Sequence, residues 1–330
     1  MKNIRILYFA FLMSMGITNA WSQDFKYNHP LEDVFAKGLQ SLQKGDSAMA
    51  FEFIQSAYVL SPKSEEKGYH YIALLLELHK QNAATIAKQW LQNSKNDIYN
   101  SKIYFQLGRY YFNNKLDKET LEAYSHVSID DLDNQQIIEM KFQQGYSEFK
   151  IGNWEHATKL LNNIRQIKNS KYYIDANYYA GFIALEKKDF NLALECFKIC
   201  ETHPDYSRLV PFYISQLYYF TGNIELALKS CEKALQQKNQ YYTQQLEQLM
   251  GHLLFEKKEY NRALPFLASY AAAQKNLETQ DLYQLSFCYY ENSDWNKAIE
   301  GFKKLANVDD SLGQNSMYLL ATSYLKIDNK

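Results

Sequence analysis

Glycine and proline are scarce in this chain, 12 and 5 of 330 residues. All-β and loop-rich folds consume such residues at their turns. Their shortage excludes those classes and leaves helix as the expectation for a sequence that is 46% hydrophobic. Runs of basic charge are missing too. The pairs Lys187-Lys188, Lys257-Lys258 and Lys303-Lys304 are diluted by neighbouring acids, whereas nucleic acid requires clustered Lys and Arg to displace counterions from phosphate. Nucleic acid is therefore not an expected partner. The seven histidines form neither an HExxH motif nor an i,i+4 pair, and there is no glycine-rich phosphate loop. No catalytic residue, metal site or cofactor is predicted. Acid pairs such as Asp130/Asp131 and Asp309/Asp310 are accounted for as loop and helix-start residues favoured by the helix dipole.

Cysteine does not occur before Cys196. Cys196 and Cys200 lie four apart on one helix, where a bridge would be strained. Cys200 and Cys231 are expected as buried thiols, with a Cys200–Cys231 bridge as the alternative in an oxidising compartment.

The first 22 residues differ in kind. MKNIR is basic, ILYFAFLMSMGI is an apolar run of 12, and TNAWS supplies small residues for a cleavage site. Twelve apolar residues are too few for a membrane span, which needs about 20. Residues 1–22 are expected to be a signal peptide cut after Ser22, with 23–30 a linker and no lipid on the new N-terminus. The mature chain then carries 34 basic and 37 acidic residues, near -3. It is expected to be exported, periplasmic or outer-membrane-associated in a Gram-negative-type bacterium, with no later transmembrane segment.

What the chain does have is a period. Ala50, Ala87, Thr120, Ala157, Ala193, Ala227, Ala263 and Ala298 follow one another at intervals of 33 to 37. Twelve residues before each stands Gly38, Leu75, Gly108, Gly145, Gly181, Ser215, Gly251 or Ser286, and five before stands Gly45, Asn82, Lys115, Gly152, Lys188, Gly222, Lys258 or Ser293. Eight of the 12 glycines fall on these two columns. Each unit thus reads as two amphipathic helices around a tight polar turn. A small residue on the first lets the second approach, and a bulky one such as Tyr124, Phe197 or Phe302 follows each alanine position by four. Neither helix buries its stripe alone, so units must stack.

The pattern resembles the tetratricopeptide repeat over about residues 31–327, best in YFQLGRYY and EAYSHV between Tyr104 and Val127. The second unit, lacking both glycines, matches least. The resemblance implies an all-α fold, an α-solenoid of antiparallel helix pairs forming a right-handed superhelix, with about eight repeats over 31–330 and a final unpaired helix. That helix, Asn315 to Ile327, has Leu320, Ala321 and Tyr324 on the motif columns. It serves as a cap or marks a chain that breaks off in a ninth repeat, and its generous apolar face favours the second expectation.

In this family the first helices line the concave surface. The corresponding i, i+4, i+7 line here is aromatic-heavy: Phe105, Arg109 and Phe112; Phe142, Tyr146 and Phe149; Tyr178 and Phe182; Phe212 and Tyr219; His252 and Phe255; Tyr283, Phe287 and Tyr290. Such a groove would grip an extended peptide or an amphipathic helix. The competing expectation is that the rings pack between neighbouring first helices. The Lys, Asn and Arg set with which related repeats clamp chaperone tails is not matched, since Phe35 and Leu39 stand on the first line and Gln106 where Arg belongs. The expected function is a non-catalytic exported scaffold for protein or peptide partners in the cell envelope. The alternatives are the helical arm of a longer cell-wall-acting enzyme with its catalytic domain beyond residue 330, or glycan binding by a chain with 28 tyrosines.

Overall fold

The computed structural model describes residues 31–237 and 239–328, and every regular element among them is helical. The expected signal peptide and linker lie outside the described residues. The chain divides after Asn153 into two compact units. The first holds α1 (Leu31–Gln43), α2 (Ser47–Leu60), α3 (Glu65–Glu77), α4 (Ala83–Leu91), α5 (Asp97–Asn113), α6 (Asp117–Ser125) and α7 (Asn134–Lys150). The second holds α8 (Trp154–Arg165), α9 (Tyr173–Glu186), α10 (Phe190–Cys200), α11 (Val210–Phe220), α12 (Ile224–Gln236), α13 (Thr243–Glu256), α14 (Tyr260–Ala273), α15 (Thr279–Glu291), α16 (Trp295–Leu305) and α17 (Ser311–Asp328). The fold is all-α, built of stacked helix pairs as predicted.

All eight predicted turn positions adopt left-handed backbone: Gly45 (φ 77°), Asn82 (58°), Lys115 (59°), Gly152 (84°), Lys188 (59°), Gly222 (76°), Lys258 (62°) and Ser293 (62°). A left-handed residue there folds the chain back so that the next amide closes a six-to-one bond. Asp46 N donates to Ser41 O (3.0 Å), Asp189 N to Ala184 O (2.8 Å) and Asp294 N to Tyr289 O (2.9 Å). The same three aspartates then cap the following helix, accepting from the backbone N–H of Met49, Leu192 and Lys297. One residue therefore both closes the first helix and opens the second.

The second pair departs from this scheme. His79 (φ 48°) ends α3, with Lys80 N bonded to Leu75 O at 3.0 Å, and Asn82 is the residue before α4. The turn is longer, α4 has only nine residues, and α3 packs more extensively on α5 than on its own α4.

The alanine column and Thr120 are fully buried, each at 0% exposure. Opposite it, the small column makes room for the bulky residue four places on. A Cβ added to Gly38 would lie 2.5 Å from Ile54, one on Gly181 2.8 Å from Phe197, and one on Gly251 2.5 Å from Leu267. Gly108 meets the Tyr124 ring in the same way, and in the last full pair Gly301 of α16 lies against Ser286 of α15. α17 begins four residues earlier than the sequence suggests. It packs on α16 and α15 and leaves Met317, Tyr318, Tyr324 and Leu325 exposed.

All four cysteines are buried and free. Burial pushes the Cys196 thiol up to about 11 and those of Cys200, Cys231 and Cys288 to about 12. At neutral pH they stay protonated and shielded, so a thiol reagent such as DTNB should titrate essentially none in the native protein and all four after unfolding.

Candidate functional site

The predicted line of fifteen residues runs along the first helix of each pair, and the structure sorts it by burial. Phe105, Phe142 and Phe212 are buried at 1%, 5% and 9% exposure. The expectation that these three face an open groove is corrected: their rings fill the space between helices. The other twelve are half-buried, and none is fully exposed.

In the first unit, Phe112 of α5 meets Tyr146 of α7 edge to face, ring centroids 5.3 Å apart, so the two lines join side by side. Arg109 Nε donates to Glu139 of α7 at 2.8 Å, and its guanidinium lies 5.9 Å from the Phe105 ring centre. Gln143 donates to the same carboxylate, and Tyr124 donates to Gln143. Charge, amide and hydroxyl thus link α5, α6 and α7.

In the second unit the rings form two clusters. Tyr178 stacks on Tyr206 at 4.1 Å, Phe182 lies edge-on to Phe197 and Tyr213, and Phe212 stacks on Tyr242 at 4.8 Å. The Tyr206 hydroxyl donates to Asp175 (2.5 Å), while those of Tyr213 and Tyr242 bond to each other (2.9 Å). Burial, followed by those bonds, pushes the Tyr206 and Tyr213 hydroxyls well above the ordinary tyrosine range. The second cluster joins Phe255, Tyr260, Phe287, Tyr283, Tyr290 and Trp295, with Phe287 at its centre. Tyr219 closes the outer edge of its line by donating to Glu256 at 2.8 Å.

Between the clusters the line turns polar. His252 Nε2 lies 2.5 Å from Asp281 Oδ1, and Gln248 Nε2 donates to both oxygens of that carboxylate at 3.1 and 2.9 Å. Asp281 is only 3% exposed. Burial alone would raise its pKa, but the bonds from His252 and Gln248 outweigh this and hold it below the usual aspartate value. Sequence reasoning placed His252 on the line but missed Asp281, Glu139, Tyr206 and Tyr242. The available signal was the polar break at Gln248 and His252, one period before an acid in the first turn of α15.

Among the described residues, no group of three or more His, Cys, Asp or Glu side chains is placed to hold a metal ion, and no helix is long and apolar enough to cross a membrane. A sequence model of the tetratricopeptide repeat matches residues 282–309. No curated protein matches the chain significantly. Among solved structures, the chain is similar to the apo form of RapI, with 11% identity over 91% of this chain and 98% of that one and a TM-score of 0.51. It is also similar to a tetratricopeptide repeat protein from Parabacteroides merdae (16% identity, 78% and 98% covered, TM-score 0.43) and to MamA from Desulfovibrio magneticus (15%, 56% and 100%, TM-score 0.43).

Proposed function

For a chain built of tetratricopeptide repeats, a fold that typically serves protein binding, we propose a non-catalytic scaffold that holds protein partners on its first-helix faces and works outside the cytoplasm, in the bacterial cell envelope. The observation that carries this is the state of the aromatic line. Twelve of its members are half-buried, and rings among them are held by neighbours, Phe112 by Tyr146, Tyr178 by Tyr206 and Phe287 by Phe255 and Tyr260. Rings held in this way lose little conformational freedom when a partner covers them, so more of the contact energy is retained as affinity. Export is supported by the basic, apolar and small-residue sequence of residues 1–22.

Placing a photo-crosslinking residue at Tyr219 or Tyr290 on the first helices, and at Lys229 or Glu300 on the second, tests the binding face in the native host. A discrete protein adduct is expected from the first pair of sites and not from the second; equal adducts from both, or none, would overturn the proposal. The mature protein is expected in the envelope fraction with an intact mass that begins at Gln23.

A further inference from the structure

Between α4 and α6, on the second-helix side of the first unit, lies a cavity of about 270 Å³. It lies where the short α4 and α6 stand over α5. Leu91, Leu107 and Ala123 supply apolar lining, Tyr104 and Tyr111 supply rings, Lys88 stands on α4, and Glu119 and Glu122 stand one turn apart on α6.

Three features give the cleft a sign. Two carboxylates against one ammonium make its charged lining net negative. Neither Glu119 nor Glu122 is in an ion pair among the described residues. Lys88 Nζ lies 5.5 Å from the Tyr111 ring centre, so the cleft already holds a cation of its own over one ring. The bond to the Tyr111 hydroxyl, with the fields of Glu122 and Glu119, raises the Lys88 pKa against the opposing effect of burial. The second ring, Tyr104, stacks on His126 at 4.5 Å, and both line the cleft. An anion placed here would meet two carboxylates, and a neutral guest would desolvate them without recompense.

We propose that this cleft binds an alkylammonium or guanidinium group, the tip of a lysine or arginine side chain or of a free polyamine, seated against Tyr104 between Glu119 and Glu122. Recognition combines ring-face attraction with charge-assisted hydrogen bonds to the two carboxylates. The site is separate from the first-helix line, so failure of either leaves the other standing.

Calorimetric titration of the full chain with n-butylguanidinium, n-butylammonium and the neutral n-butylurea tests it. Both cations should bind saturably and the urea should not. The double variant Glu119→Gln/Glu122→Gln should weaken the cations at least tenfold without moving the thermal midpoint, because both side chains lie at the surface of α6. Lys88→Met should tighten binding several-fold by removing a like charge, and added salt should weaken it. Urea binding as tight as the cations, no saturation by either cation, indifference to the double glutamine variant, or weakening by Lys88→Met would each overturn the assignment. A blocked Gly-Arg-Gly peptide binding more tightly than spermidine assigns the site to a peptide side chain, and the reverse order assigns it to a free polyamine.

Discussion

Replacing Gly181 by valine should destabilise the second unit by about 3 kcal/mol, since overpacking a dense core typically costs 1–3 kcal/mol and here the obstacle is a ring with nowhere to go. Phe197 has no exposed surface, and an added Cβ would lie 2.8 Å from its nearest ring atom. The ring is also held by Phe182, Tyr178 and Tyr213. Phe197→Ala alone should cost about 3–5 kcal/mol through lost contacts and the cavity left behind. The two changes together should cost clearly less than their sum, because the valine grows into the space the ring leaves. Urea denaturation of the four proteins in the cycle measures the coupling; strict additivity would show that α9 and α10 are not positioned by this contact.

The second large effect is expected at His252. Replacing it with alanine leaves the Asp281 carboxylate buried, with Gln248 as its only remaining hydrogen-bond donor from α13. Leaving a buried carboxylate short of one hydrogen-bond donor costs about 3 kcal/mol. His252→Leu combined with Asp281→Leu should recover most of the loss, since apolar packing removes the charge that needs a partner. The pair also sets an acid limit. Asp281 titrates below its unfolded value, so its stabilisation is fully present above the ordinary aspartate range and is lost as pH falls through the depressed pKa. Denaturation midpoints followed from pH 7 down to pH 3 should therefore fall more steeply in the native sequence than in the double leucine variant. Parallel curves would remove Asp281 from the acid response.

Both predictions bear on how much of the molecule could be read in advance. The turn and alanine columns were legible because each imposes a local requirement that few residues meet, a left-handed backbone in one and a side chain small enough for helix contact in the other. All eight turn positions carry positive φ although five are not glycine, so the column was visible through its spacing and polarity rather than through one residue type. The second pair, weakest in sequence, is the one with the lengthened turn at His79. Burial along the aromatic line was less legible. Spacing within one helix assigns a face, but whether Phe105 or Phe112 is covered depends on how closely the next first helix approaches. Asp281 was silent for the same reason: its partners lie 29 and 33 residues away on another helix. The cleft between α4 and α6 is lined from three helices, a combination that no motif column records.

The bonds that tie one pair to the next span about one period: 30 residues for Arg109–Glu139, 33 for Gln248–Asp281 and 37 for Tyr219–Glu256. A chain held by such short closures does not have to wait for distant segments to meet, because the entropy lost in each loop is small and is soon offset by the contact it permits. Folding can start at whichever pair forms first and spread by recruiting the adjacent one. The same economy works in reverse, so an outer pair can open while the interior remains closed, and hydrogen exchange should rise stepwise along each unit rather than in one concerted transition.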